Sequence, residues 1–355
     1  MRRLGFGFLI LAAAVGLTTA AVAEDGGSSA PTPSLEYKPP RQVVPEPKAP
    51  HPLPPLTVFR ESVGSFGMLE GSFIKPSDVA RDKSDNFYVL DTGNNRIQKF
   101  DRFSKFVASW GSHGIRDGEF SHPTAIAVGP FDTSDPTIDF VYVVDTGNNR
   151  IQIFNTVGKH IKSWGTRGSR DGDFDSPQGI TFDGCRPDWN IYVLDGGNER
   201  VQIFDKNSKF INKWDKWSGV TGGIFADFTS IAWSEERLGY IYLLSAGCVV
   251  QQFKPDGCTG RIEGTLINSW PAVAPESGLC SPARIEVDNK NNYVYVLDSG
   301  NSLLMCFNPD GLYRWALRGA DRPFSKPLGF AINPDGDEVL VADTENNIVQ
   351  KFTLR

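Results

Sequence analysis

Apolar residues fall in short, nearly continuous runs punctuated by Gly, Asn, Asp and Pro, a pattern of strands packed on both faces. The clearest run, Tyr88-Val-Leu-Asp91-Thr-Gly-Asn-Asn-Arg96-Ile-Gln-Lys-Phe100, returns as Tyr142…Asp145…Arg150…Phe154 and as Tyr192…Asp195…Arg200…Phe204. Looser copies are Tyr295…Asp298…Phe307 and Val341…Asp343…Phe352, and the weakest, Tyr242…Ser245…Phe253, is one residue shorter. Six copies spaced by about 45 to 54 residues suit a four-stranded propeller blade. Each copy divides into a Pro-led strand, a Tyr-Val-Leu-Asp strand, a tight Thr-Gly-Asn-Asn turn, an Arg-Ile-Gln-x-Phe strand and a strand ending in an aromatic. Gly and Asn suit the turn because they tolerate positive φ at least cost.

The outer strands decide how the ring closes. Their aromatic ends fall at Trp110, Trp164, Trp214, Trp270 and Trp315, whereas only Thr353, Leu354 and Arg355 follow Phe352. The sixth copy therefore lacks a fourth strand. Upstream of the first copy lies an unassigned strand from Thr57 to Gly67, whose Ser65-Phe66-Gly67 ending matches Ser109-Trp110-Gly111 and Ser163-Trp164-Gly165. The expected fold is an all-β, six-bladed β-propeller, its ring closed by the N-terminal strand completing the last blade. Closure removes sheet edges that would invite aggregation.

The Asp-x-Gly-Asn-x-Arg-Ile-Gln-x-Phe turn, the Pro-led strand and the Gly-rich loop before it resemble the NHL-repeat family. The likeness covers residues 57–355, is sharpest in blades one to three and is degenerate in blade four. It implies a six-bladed propeller without implying one activity. Such propellers serve as RNA binders, protein-docking platforms, extracellular sensor domains and occasionally lyases.

Residues 1–23 read as a cleaved secretory signal: Arg2 and Arg3, the apolar Phe6–Leu17, then Ala21-Val22-Ala23 before Glu24. The competing reading, a retained anchor, meets a weakly apolar second half around Thr18 and Thr19. Nothing else approaches the length of a membrane span, so none is expected after cleavage. Residues 24–56 form a Pro-rich linker, and 57–355 the propeller. The net charge is −6, or −8 without Arg2 and Arg3. That balance speaks against nucleic acid as a partner. Together these features predict an exported chain, in the periplasm, at the cell surface or secreted.

Five cysteines in such a chain leave at least one unpaired. Cys258 and Cys280 bracket the outer strand and long connection of the decayed fourth blade, and a disulfide is expected between them, although Cys248 also lies close to Cys258. Cys306, inside the Leu303–Phe307 strand, should be a buried free thiol.

The recurring carboxylates Asp91, Asp145, Asp195, Asp298 and Asp343 stand beside turns that need side-chain acceptors, which is a structural role. Four histidines, with none in blades three to six, provide no zinc set of the kind used by the amidating lyases that the resemblance raises. No Gly-x-Ser-x-Gly elbow is present. No catalytic residue, metal or cofactor is expected. Two positions past each leading proline, or its equivalent, the inner strands give Asp78, Ala125, Gly179, Ser230, Arg284 and Gly329. One residue earlier they give Ser77, Thr124, Gln178, Thr229, Ala283 and Leu328. Asp78 and Arg284 are charged among small residues, and two readings stand open: a polar ligand pocket with Ser77, Thr124, Gln178 and Thr229, or an ion pair plugging the channel. Arg96, Arg150 and Arg200 against Val249, Leu303 and Ile348 predict a charged and an apolar sector on the turn face. The reading that follows is an extracytoplasmic binding or scaffold propeller for a protein, peptide or glycan, docked at the channel mouth on the turn face. Its rivals are a secreted lyase-like enzyme at that mouth and an RNA-binding propeller.

Overall fold

A computed structural model describes residues 57–130, 139–185, 188–222, 227–235, 239–258, 262–275, 277–320 and 322–354. The signal-like segment and Pro-rich linker, residues 1–56, lie outside the described residues, as does the connection 131–138 in blade two.

Six antiparallel sheets form a ring. Blade one consists of Pro76–Arg81, Phe87–Asp91, Arg96–Phe100 and Phe106–Trp110 from the axis outward. Blade two is Ala125–Gly129, Phe140–Asp145, Arg150–Asn155 and His160–Trp164; blade three is Pro177–Phe182, Asn190–Asp195, Arg200–Asp205 and Phe210–Trp214. Blade four, Phe228–Ser234, Tyr240–Ser245, Val249–Pro255 and Gly264–Pro271, gains a short parallel edge, Val220–Thr221. Blade five is Pro282–Asp288, Tyr293–Asp298, Leu303–Phe307 and Tyr313–Leu317. Blade six has Gly329–Ile332, Glu338–Asp343 and Ile348–Thr353, and its outer strand is the N-terminal Val58–Val63. No helix among the described residues is long and apolar enough to cross a membrane.

The apolar runs are continuous because both faces of every sheet are covered. One buried cluster lies at each blade interface, such as Tyr88, Ile97, Phe120 and Phe154 between blades one and two. Val63, Phe73, Phe100 and Val349 fill the seam where the ring closes, and Phe59 stands edge-on to Phe352 with centroids 5.7 Å apart.

Closure occurs with a different local alignment from Ser65-Phe66-Gly67. Val63 pairs with Val349 as Trp110 pairs with Ile97, so Val63-Gly64 occupies the place of Trp110-Gly111. The physical marker is the glycine. Gly64, Gly111 and Gly165 sit at φ +88, +102 and +97, and a Cβ on each would lie 2.3 to 2.5 Å from the ring of Phe73, Phe120 or Phe174. Phe66 falls three residues later, 73% exposed, in an isolated bridge to Phe73.

The cysteines pair as Cys185–Cys258 and Cys248–Cys280, which corrects the expected Cys258–Cys280 link. Cys258 lies three residues past the end of the Val249–Pro255 strand on the face opposite the turns, beside the Cys185 loop of blade three. Cys280 lies on the turn face with Cys248, so Cys258 and Cys280 stand at opposite ends of the blade. Cys306 is buried without a disulfide.

Candidate functional site

The repeat motif is a clamp. Asp91 Oδ1 accepts the Ile74 N–H at 2.8 Å, while its Oδ2 accepts from Asn94, Arg96 and Gln98. The Arg96 guanidinium donates onward to the carbonyls of Met68, Leu69 and Ser72 in the loop leading into its blade. Asp145 with Arg150, and Asp195 with Arg200, repeat the arrangement. The expected charged sector is therefore absent as a surface: these three arginine side chains are only 4 to 14% exposed. Of its apolar counterpart, Leu303 and Ile348 are buried and Val249 is half-buried.

A second series of bonds joins blades one, two and six to the blades that follow them. The left-handed residue closing a turn accepts an N–H from the following interblade loop: Asn95 from His122, Asn149 from Ser176, Asn347 from Lys75. In blade four that left-handed position is Cys248, at φ 57, and its disulfide to Cys280 supplies the same link covalently.

On the axis, Asp78 and Arg284 meet. Arg284 Nη1 lies 3.1 Å from Asp78 Oδ2, and their side chains are 9% and 2% exposed. Asp78 also accepts the N–H groups of Val79 and Ile126 at 3.0 and 2.9 Å. Arg284 Nη2 faces Glu286 at 3.8 Å, and Glu286 accepts the Ile332 N–H at 3.2 Å. The cluster ties together blades one, two, five and six. Burial, opposed by Arg284, lifts Asp78 from 3.8 to about 6. Burial lifts Glu286 further, from 4.5 to about 8, against the same arginine.

The other predicted mouth residues lie apart from this cluster, towards the turn face. Ser77 Oγ and Thr92 Oγ1 are 2.5 Å apart, as Thr124 and Thr146 are at 2.6 Å, and Thr229 donates to Leu244 O at 3.2 Å. Gln178 is exposed there beside Gly196. The large opening of the channel is at the other end: a cavity of about 780 Å³ reaches from Arg284, Glu286 and Ile126 out to the loops at Lys83, Gly184 and Asn289. Of the six candidates, Arg284 alone lines it. Sequence reasoning passed over Glu286 and Arg81. The same alignment carried two and three positions further exposes both: Glu286 stands among Ala80, Ala127, Thr181, Ala232 and Ala331, and Arg81 among Val128, Phe182, Trp233, Val287 and Ile332. Among the described residues no group of three or more His, Cys, Asp or Glu is placed to hold a metal ion.

Six four-stranded blades, three of them with the complete Asp–Asn–Arg–Gln clamp, define an NHL-type β-propeller. The NHL-repeat family model matches residues 73–100 and 324–352, so the chain carries NHL repeats in its first blade and its last. Protein brain tumor of Drosophila melanogaster is 30% identical over 126 residues, which is 36% of this chain and 11% of that protein. The B-box type zinc finger protein ncl-1 of Caenorhabditis elegans is 27% identical over 108 residues, 30% of this chain and 12% of that protein. The match thus spans about a tenth of each relative's length. Among solved structures, the Cps50 (Swd1) β-propeller domain of Myceliophteria thermophila superposes with a TM-score of 0.55 at 10% identity, covering 84% of this chain and all of that one. A streptogramin B lyase superposes with a TM-score of 0.53 at 12% identity, covering 84% and 98%. At such identities the likeness is one of fold.

Proposed function

We propose that the chain is an extracytoplasmic scaffold that holds a protein partner against the turn face of its propeller. The observation that carries this reading is where folding leaves large apolar side chains in water. Phe66, Met68, Leu69, Ile115, Trp217 and Leu279 are 73 to 99% exposed, and all stand on loops between blades on that face. Phe103 and Val157, 74% and 73% exposed, lie on hairpins of the opposite face, so most of the exposed apolar surface is on the turn face, where it favours partner docking. Met68, Leu69 and Ile115 ride on clamped loops, so ordering them on contact costs little. The aliphatic tips of Leu69, Ile115 and Leu279, with Met68, fit a protein or peptide surface better than the hydroxyls of a glycan. Two disulfides accord with an oxidising compartment, as does the signal-like sequence of residues 1–23.

Capture from the native cell envelope by the mature protein tests the reading. The partner should be lost with Leu69→Glu/Ile115→Glu at unchanged melting temperature and retained with Phe103→Ser, whose side chain is exposed on the opposite face. The reverse pattern, or capture abolished by ribonuclease, overturns it. The lyase-like alternative draws its support from the channel cavity, and turnover blocked by Arg284→Lys with docking intact would favour it.

A further inference from the structure

The outer rim of blades one to three concentrates positive charge in an acidic chain. From the end of the third strand through the outer strand, residues 99–110, 153–164 and 203–214 contain eight Lys or Arg against Asp101 and Asp205, a net charge of +6 where the whole chain carries −6. The matching stretches of blades four and five, 252–270 and 304–315, are balanced. Both acids of the rim are engaged in its hairpins: Asp101 accepts the N–H groups of Phe103 and Lys105, and Asp205 those of Asn207 and Lys209. Arg102, Lys105, Lys159 and Lys209 are exposed and have no ion-pair partner among the described residues. Lys99 and Lys162 donate across the blade junctions to the carbonyls of Thr156 and Asn207, so the three hairpins form one linked row on the face opposite the turns. Apolar side chains stand between the cations. Phe103 and Val157 are 74% and 73% exposed at the hairpin tips, and Val107 follows on the outer strand at 51%.

We propose that this rim docks on the surface of a membrane that contains anionic phospholipids. Each lysine or arginine near such a surface adds a similar increment of attraction, so a row of unpaired cations sums to a usable affinity. The apolar tips decide between a bilayer and a soluble polyanion. A nucleic acid or sulfated glycan neutralises the lysines but leaves Phe103 and Val157 in water, whereas the headgroup region takes cations and shallow apolar groups together. The Arg102 guanidinium lies over the Phe103 ring at 4.7 Å, so the two enter that region as one unit. The attachment is peripheral and reversible, since it rests on side chains at hairpin tips. It is independent of partner docking on the turn face, which lies at the other end of the blades.

Co-sedimentation of the mature protein decides it, with vesicles of equal parts phosphatidylglycerol and phosphatidylcholine against vesicles of phosphatidylcholine alone. An acidic chain is repelled as a whole by the anionic vesicles, so binding to them requires an oriented basic face. Binding should appear at low salt on the anionic vesicles only, and vanish at molar salt, where screening acts beyond about 3 Å. Lys105→Gln/Lys159→Gln/Lys209→Gln should weaken it about a hundredfold, at about fivefold per lysine, with the melting temperature unchanged. Phe103→Ser/Val157→Ser should weaken it about tenfold. Leu69→Glu/Ile115→Glu should bind vesicles as the wild type does, which separates this proposal from the turn-face reading. Absence of binding to anionic vesicles at low salt, or equal binding to both kinds, overturns the proposal, and that comparison uses the wild-type protein alone. Undiminished binding by Phe103→Ser/Val157→Ser also overturns it, in favour of a soluble polyanion such as RNA.

Discussion

Replacing Arg284 by Met leaves Asp78 almost fully enclosed, with the Val79 and Ile126 N–H groups as its remaining partners. Removing one member of a buried pair costs about 3–5 kcal/mol. Asp78 limits the loss by taking up a proton, since burial already lifts it to about 6 with the arginine present. The expected cost at neutral pH is therefore at the lower end, about 3 kcal/mol, or about 6 °C of melting temperature for a domain of this size. Asp78→Asn should cost less, about 1–2 kcal/mol, because Glu286 can ionise and serve Arg284 as counter-ion. The double variant should then be more stable than the sum of the single effects by about 2 kcal/mol or more. Guanidinium and thermal unfolding of the four proteins measure the cycle. Additive losses, or an Asp78→Asn variant worse than Arg284→Met, would refute the view that the three groups share charge across the channel.

Gly329→Ala should destabilise by about 3 kcal/mol or more, because its Cβ would meet Asp78 Cα at 2.4 Å and Ser77 O at 2.6 Å, backbone that no rotamer can clear; a melting curve checks it. Stability should fall as pH rises between about 4.5 and 8, since folded Glu286 retains a proton that the unfolded chain has released. Glu286→Gln should flatten that slope, and an unchanged slope counts against the assignment. Peptide mapping without reductant should recover Cys185–Cys258 and Cys248–Cys280 links, and each Cys→Ser pair should cost about 3–4 kcal/mol in the chain-entropy picture; a Cys258–Cys280 peptide would contradict the structure. Deleting residues 57–63 should lower the melting temperature of the whole domain, because it strips the Val58–Val63 strand and exposes Ile348–Thr353 as an open edge.

The fold was legible because each blade repeats the same physical requirement. A turn with left-handed residues needs Asn or Gly, and the loop it faces needs an acceptor, so Asp91, Asn94, Arg96 and Gln98 recur together. The missing sixth outer strand was equally plain. Its alignment was not, because an aromatic ending draws attention first. The constraint shared by the seams at blades one, two and three is a glycine pressed against a phenylalanine, Gly64 on Phe73, Gly111 on Phe120 and Gly165 on Phe174. The arginines misled for a related reason: a charge beside a turn reads as surface until the loop carbonyls it holds are known.

Blade four and the channel differ in how far a repeat can be read by comparison. In the channel, a charged residue among small or apolar ones is conspicuous, and Asp78 and Arg284 at one aligned position, Glu286 two positions on and Arg81 three positions on all stand out by that test. In blade four the comparison works in the opposite direction. Ser245 replaces the clamp aspartate and the turn is one residue shorter, which reads as decay. Yet Cys248 sits at the left-handed position whose asparagine holds the next loop in blades one, two and six, and its bond to Cys280 makes that connection covalent. Loss of the motif there is a substitution of one interblade link for another. That exchange also explains the pairing: Cys248 and Cys280 are neighbours through the blade-to-loop geometry of blades one, two and six, whereas Cys258, past the far end of the Val249–Pro255 strand, lies beside the Cys185 loop of blade three.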